Sequence, residues 1–559
     1  MNQRRSGLGC LIAAALLLLL AAACLIGGYK LYQRYKPSAE MADKAELLHI
    51  REGQVAILLN SQLQEETGIY EDGRVYLPVS WVAGQVNQRF YWDEGEELLV
   101  YALPEKIVYA DADTQGEGGP LLKVKDGEAY LSLGLILNYS DVRIETFATS
   151  EIKRVFIDTS WEPIERAQVR RGGMVRVKGG VKSPIVTELA KGDGVTVLET
   201  MDKWAKVRTE DGFVGYIENR RLGKTESQEL HSSFKAPVYE SISMDEPVIL
   251  AFHQVFVQDA NKNMEALMEK TEGVNVIVPT WFAVKDEKGG YSSLASKDYV
   301  EKAHEMGLQV WAMLNNVSTS ENVAVDTLAL LSSTSARNRL VEGMMKEAET
   351  YGFDGINLDF ESLKAETGPH YVQFIRELSA ACRKAGLVLS VDNYVPSPYT
   401  QFYNRKEQGI VADYVIIMGY DEHYAGGEPG PTASLSYVEE GIKNTLEQVP
   451  KEKVINAVPF YSRLWTTKDG KTTSKAYGIE GAKEWMEENG VTAQWKEELG
   501  LSYGELENES GLSRIWAEDE RSLGLKADLV RKYGIAGIAC WKLGFETEEA
   551  WEAIGRVKE

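Results

Sequence analysis

The sequence predicts an α/β protein: a (β/α)8 barrel over residues 247–559, preceded by two small mostly-β domains and an N-terminal transmembrane helix. Three observations predict it. After residue 247, apolar runs alternate with amphipathic helical segments eight times, the pattern of a parallel closed barrel. Before it, Asp-Gly turns lead into alternating apolar and polar residues, which mark half-buried strands. At the start, 24 uncharged residues separate Arg5 from Lys30, enough at about 1.5 Å per residue for a helix to cross a bilayer core.

Residues 1–36 hold no acidic residue, and basic ones flank the apolar stretch: Arg4 and Arg5 before it, Lys30, Arg34 and Lys36 after it. A cleaved signal peptide needs a short apolar region and a small-residue cleavage site. Ala21-Ala22-Ala23-Cys24 loosely resembles a lipoprotein site, but Leu25-Ile26 continues the apolar run. An uncleaved single-pass anchor is therefore expected, with the body outside the cell, and residues 37–47 read as a polar stalk.

Residues 48–158 are strand-rich and duplicated: Asp72-Gly73-Arg74-Val75-Tyr76-Leu77 recurs as Asp126-Gly127-Glu128-Ala129-Tyr130-Leu131. They resemble the small repeat domain called copper amine oxidase N-terminal-like, which implies a spacer or wall-contacting module without copper. Residues 165–223 carry short strands around Trp204, Val207, Asp211-Gly212 and Gly215-Tyr216-Ile217. They resemble a bacterial Src-homology-3-like domain, which implies peptide or wall binding. Residues 224–246, rich in Ser and Glu, read as a linker.

Composition narrows the partners. With 61 Lys+Arg against 84 Asp+Glu, the formal charge is −23, so nucleic acid is not expected. The four cysteines (10, 24, 382, 540) form no CxxC or dense framework, and the six histidines show no HxH or HExxH spacing. Neither a disulfide scaffold nor a metal site nor any cofactor is expected.

In the barrel the expected strands are VILAFHQV, VNVIVPTWF, LQVWAML, FDGINLDF, LVLSVDNY, ADYVIIMGY, KVINAVPF and IAGIACWKL, with an insertion at about 462–530 between the seventh and eighth. Functional residues of such barrels sit at the C-terminal strand ends. The fourth strand ends Asn357-Leu358-Asp359-Phe360-Glu361. Strand alternation sends Asn357, Asp359 and Glu361 one way and Leu358 and Phe360 the other. Carboxyls two residues apart on one face repel, so one pKa should rise, as a general acid at neutral pH requires. A purely structural hydrogen-bond network at the strand end is the plainer alternative.

Asp354-Gly355-x-x-x-Asp359-x-Glu361 resembles the motif of glycoside hydrolase family 18, whose members include chitinases and cell-wall N-acetylglucosaminidases on a TIM barrel. Met418-Gly419-Tyr420-Asp421 is similar to the family's Met-x-Tyr-Asp element, and Gly537-Ile538-Ala539-Cys540-Trp541 to its eighth strand. The full motif would have aspartate where Asn357 stands; asparagine there is common in the peptidoglycan- and spore-associated branch. The resemblance implies that Glu361 is the acid, then the base on water, and that the substrate's 2-acetamido oxygen is the nucleophile. It implies that Asp359 orients the acetamido N–H, Tyr420 holds its carbonyl, Asn357 positions Asp359, Trp541 stacks on the sugar and Asp421 contacts it. Trp281, Asn393 and Tyr394, at the ends of the second and fifth strands, are further candidate substrate contacts.

The expected protein is thus a membrane-anchored extracellular glycosidase of polysaccharides containing N-acetylated sugars, at the cell wall or in a spore, with chitin a further candidate. A catalytically weak or inactive carbohydrate-binding wall protein on the same barrel is the alternative; retention of Glu361 argues against it.

Overall fold

The computed structural model describes residues 5–317 and 324–559. The chain divides into two compact units, Met1–Phe90 with Ala110–Ala236, and Tyr91–Tyr109 with Pro237–Glu559.

In the first unit, Arg5–Tyr35 is one helix. Its segment Leu11–Tyr35 has mean hydropathy 2.7 and none of it is buried in the protein. A helix that is apolar around its length and exposed is suited to lipid. A seven-stranded sheet follows, in which the duplicated stretches repeat the same elements. The turns Asp72-Gly73 and Asp126-Gly127 all have positive φ, the geometry that a two-residue hairpin needs and glycine permits. Each turn leads into a strand, Arg74–Pro78 or Glu128–Ser132, and then a seven-residue helix. The two strands pair antiparallel, Leu77 opposite Leu131, so the copies meet across a local two-fold. A second seven-stranded sheet spans Ile164 to Gln228 around Val175, Val195, Val207 and Ile217.

The second unit is the barrel. Its strands are β1 (Val248–His253), β2 (Val276–Pro279), β3 (Gln309–Asn315), β4 (Gly355–Asp359), β5 (Val388–Tyr394), β6 (Tyr414–Met418), β7 (Val454–Pro459) and β8 (Gly537–Trp541). Each pairs in parallel with its neighbours, and β8 pairs with β1 to close the ring. Because β-carbons alternate across a strand, the strands sort into two apolar layers. Leu250, Phe252, Val276, Val278, Met313, Ile416, Ala457 and Ala539 fill the barrel. Ile249, Ile277, Val310, Ile356, Leu358, Val391 and Ile538 face the surrounding helices. Cys540, on the outer layer, is fully buried and packs as a small hydrophobe.

Three further features shape the unit. Strands Tyr91–Asp93, Leu98–Ala102 and Ile107–Ala110, which the sequence reading assigns to the 48–158 domain, group instead with the barrel. There Asp93 accepts hydrogen bonds of 2.6 Å from the backbone N–H and hydroxyl of Thr334, at the start of α1 (Thr334–Tyr351). Second, α2 (Gly368–Ala385) and α3 (Arg405–Val411) follow β4 and β5 and pack against β5 and β6. Third, a five-stranded antiparallel sheet with helix Ile479–Glu488 is inserted after β7, around a small core of Leu464, Ala482 and Ile515. It ends at Ala517, because the next helix, α4 (Glu520–Tyr533), leads back into β8. The insertion is therefore shorter than 462–530.

Candidate active site

The barrel's apolar filling ends where β4 and β5 turn polar on their inner faces. Asn357 and Asp359 on β4 and Ser390 and Asp392 on β5 are all buried. The strands run in parallel register, Asn357 beside Ser390 and Leu358 beside Val391, which sets Asp359 beside Asp392. The amide of Asn357 donates to Asp392 Oδ1 (2.9 Å) and to Ser390 Oγ (3.0 Å). Asp359 Oδ1 and Asn357 Oδ1 are buried without a hydrogen-bond partner among the described residues.

Burial without a cation disfavours the charged form of each acid. It pushes Asp359 well above the ordinary carboxylate range, with Asp392 and then Glu361 adding repulsion. Asp392 is pushed up to about 8, again by burial first, against the opposing hydrogen bond from Asn357. The cluster therefore holds at least one proton near neutrality.

Glu361 lies two residues beyond β4, half-buried. Its backbone is clamped by the side chain of Asn316: the Glu361 N–H donates to Asn316 Oδ1 (2.8 Å), and Asn316 Nδ2 donates to the Glu361 carbonyl (2.9 Å). Ser362 follows with φ 56°, a left-handed conformation that turns the chain away from the strand direction. The hydroxyl of Tyr394 donates to Glu361 Oε2 (2.9 Å) and accepts from Ser362 N–H (3.1 Å). Burial raises the Glu361 pKa, the Tyr394 bond lowers it, and the Asp421 charge raises it again. A carboxyl held in place, partly desolvated and inclined to keep its proton is equipped to give that proton to a bound group.

Tyr420 is half-buried and packs against both apolar layers; burial, then Asp359 and Asp392, holds its hydroxyl protonated far above the usual range. Asp421, at φ 55°, accepts a 2.6 Å hydrogen bond from Tyr461 and lies 3.7 Å from the Arg463 guanidinium. Tyr461 also meets the Tyr420 ring edge-on at 6.4 Å. Trp541, at the end of β8, is half-buried, 5.4 Å from Phe252 ring to ring.

Glu361, Asp359, Asn357, Tyr394 and Tyr420 thus come together at the C-terminal end of the barrel, with Asp421 close enough to bear on Glu361 electrostatically. Two candidates do not join them. Trp281 is 1% exposed, its indole N–H bonded to Asn261 (2.8 Å), in the segment between β1 and β2, and its ring against Tyr299 of helix Lys297–Glu305. Asn393 is 1% exposed and bonds Gln408 on α3 at 2.7 Å, because it shares the outward parity of Leu389 and Val391. Strand alternation in LVLSVDNY would have selected Asp392 in its place. Asn316 and Tyr461 carried no signal in the sequence, since their roles depend on where two loops return. Among the described residues, no group of three or more His, Cys, Asp or Glu is arranged to hold a metal ion.

Comparison with known proteins finds relatives for both the barrel and one of the small domains. The family model for a bacterial dipeptidyl-peptidase Sh3 domain matches residues 175–222. The uncharacterized glycosylase YvbX of Bacillus subtilis (strain 168) is 26% identical over 296 residues, 50% of this chain and 84% of that protein. The cortical fragment-lytic enzyme of the same organism is 27% identical over 233 residues, 40% of this chain and 54% of that one. The crystal structure of the Bacillus cereus spore cortex-lytic enzyme SleL, 22% identical, superposes with a TM-score of 0.51 over 60% of this chain and 79% of its own, a likeness of fold. The model for glycosyl hydrolases family 18 matches residues 248–546, more than half the chain. By barrel, acid cluster and family model together, the chain belongs to glycosyl hydrolases family 18.

Proposed function

We propose that this chain is a membrane-tethered enzyme that cleaves β-linked glycans containing N-acetylglucosamine, with a wall or spore-cortex peptidoglycan as substrate, by a retaining, substrate-assisted mechanism. The observation that carries the reading is the Glu361 carboxyl, raised in pKa and held by Tyr394, beside a buried acid pair that no cation among the described residues neutralises. In this reading the Glu361 proton passes to the glycosidic oxygen as the C1–O bond breaks. The acetamido oxygen of the same sugar attacks C1 from the opposite face, forming an oxazolinium ion. Asp359 accepts the acetamido N–H and offsets the developing positive charge; Tyr420 donates to the acetamido oxygen and aims it. Water then attacks C1, Glu361 takes its proton, and two displacements restore the original anomeric configuration. Fixed donors and acceptors of this kind need no reorganisation during the reaction.

Two supports extend the reading to a polymer at a cell surface. Exposed aromatic side chains follow three barrel strands, Phe256 after β1, Tyr399 after β5 and Tyr424 after β6, and such rings can stack on the apolar faces of successive sugars. The relatives named above include a cortical fragment-lytic enzyme, and one helix of this chain is long and apolar enough to cross a membrane. The Sh3-like and duplicated modules serve as wall contact and spacer.

The test is turnover of a fluorogenic chitooligosaccharide and of purified peptidoglycan, with products identified by mass spectrometry, for the wild type and Glu361→Gln. Loss of kcat by about 10³-fold in the variant is expected; equal turnover by both would refute the assigned acid, and wild-type silence on every glycan would leave a binding protein.

A further inference from the structure

Asn357 stands where a proton-carrying partner of Asp359 would be useful, and an amide cannot take a proton. Its two N–H groups are directed across to β5, to Asp392 Oδ1 and Ser390 Oγ. The carboxyl nearest Asp359 by strand register is therefore Asp392, 3% exposed and on the same inner face. No cation among the described residues forms an ion pair with either acid; the ionisable groups that bear on the pair are Glu361 beyond β4, Tyr420 beyond β6, Tyr371 on α2 and Tyr403 just before α3. Two adjacent buried carboxyls favour one shared proton over two charges.

We infer that Asp392 is a positioning residue that takes the proton Asp359 must release when the acetamido group docks. The relay belongs to the singly protonated form of the pair, in which Asp359 carries the proton and Asp392 is the carboxylate, held by the Asn357 amide. As the acetamido N–H arrives, it requires an acceptor; the proton moves from Asp359 to Asp392, and Asp359 faces the sugar as a carboxylate. The proton returns when product leaves, so the cluster's charge never changes. The function that an aspartate at position 357 would perform along β4 is carried across to β5. This rests on the roles proposed for Glu361 and Asp359.

The experiment is steady-state kinetics of the full chain on a soluble chitooligosaccharide, comparing wild type, Asp392→Asn, the swap Asn357→Asp/Asp392→Asn, and Glu361→Gln as control. Asp392→Asn should lose about 10²-fold in kcat with KM within about twofold, while the swap, which restores one carboxyl beside Asp359, should recover at least about tenfold of that loss. Wild-type kcat in Asp392→Asn, or no recovery in a swap that melts like wild type, overturns the inference. Should Asp392→Asn fail to fold, the swap alone decides: kcat within about tenfold of wild type supports the relay, and a lower value refutes it. Failure of the underlying reading looks different, since Glu361→Gln would then turn over as wild type does.

Discussion

The barrel buries carboxylates in two ways. On its outer layer, Glu377 receives a two-pronged guanidinium from Arg337 (2.8 and 3.0 Å) between α1 and α2. Glu407 on α3 is met by Arg376 at 2.9 Å. Inside, Asp359 and Asp392 have no cation partner among the described residues. Both arrangements remove charge from water at a cost of several kcal/mol per ion. Only the outer one repays it locally, by a partner fixed in place. The inner acids keep protons instead, and a proton held at a cost is one that can be moved. The contrast separates scaffold from chemistry without reference to any relative.

Variants can break that contrast. The largest expected effect is on the outer side: Arg337→Met strands a buried Glu377 and should destabilise the fold by about 3–5 kcal/mol in denaturant melts. On the inner side, Asp359→Asn should move stability the other way. Raised pKa values mean that the folded chain holds protons the unfolded chain has released, so stability declines as pH rises through the interval from about 4 to the folded value of about 8 given for Asp392. Relative to wild type, Asp359→Asn should be the more stable at pH 9 and little different at pH 4 in denaturant melts, while losing most of its turnover, as buried functional charges commonly trade stability for activity. A variant less stable than wild type at pH 9 would contradict the account.

Smaller effects sharpen the picture around Glu361. In the proposed role Glu361 must be protonated to act, so activity should fall as pH rises past its raised pKa. Tyr394→Phe removes the bond that favours the ionised form and should carry this alkaline limb upward by up to about one pH unit; Asp421→Asn removes a repelling charge and should carry it downward by a similar or smaller amount. Smallest of all, Asn393→Ala should cost about 1–2 kcal/mol of stability through the lost bond to Gln408 and leave KM unchanged; a raised KM would put Asn393 back among the substrate contacts.

The sequence made the eight barrel strands legible because each is an apolar run with a helix-period segment after it. The β4 acids were legible because alternation assigns Asp359 and Glu361 one side. What could not be read was the neighbour: the pairing of Asp359 with Asp392 depends on the register of two strands more than thirty residues apart, which no local pattern encodes. Trp281 shows a different limit. An aromatic at a strand end reads the same whether the following loop exposes or covers it, and here Asn261 and Tyr299 cover it. The inserted sheet was visible as surplus length, but its end was not, since the helix closing the barrel is as amphipathic as the helix inside the insertion.

That inserted sheet has one further consequence. Its first residue, Tyr461, is also the one that grips Asp421 and edges Tyr420, while its hairpin tips, near Asp469 and Glu509, are exposed. Root and tip are thus decoupled: the base is bolted to the reaction centre, and the far turns are free to lengthen, shorten or change charge. Changes confined to the hairpin tips should leave the Tyr461–Asp421 bond at the root as it is.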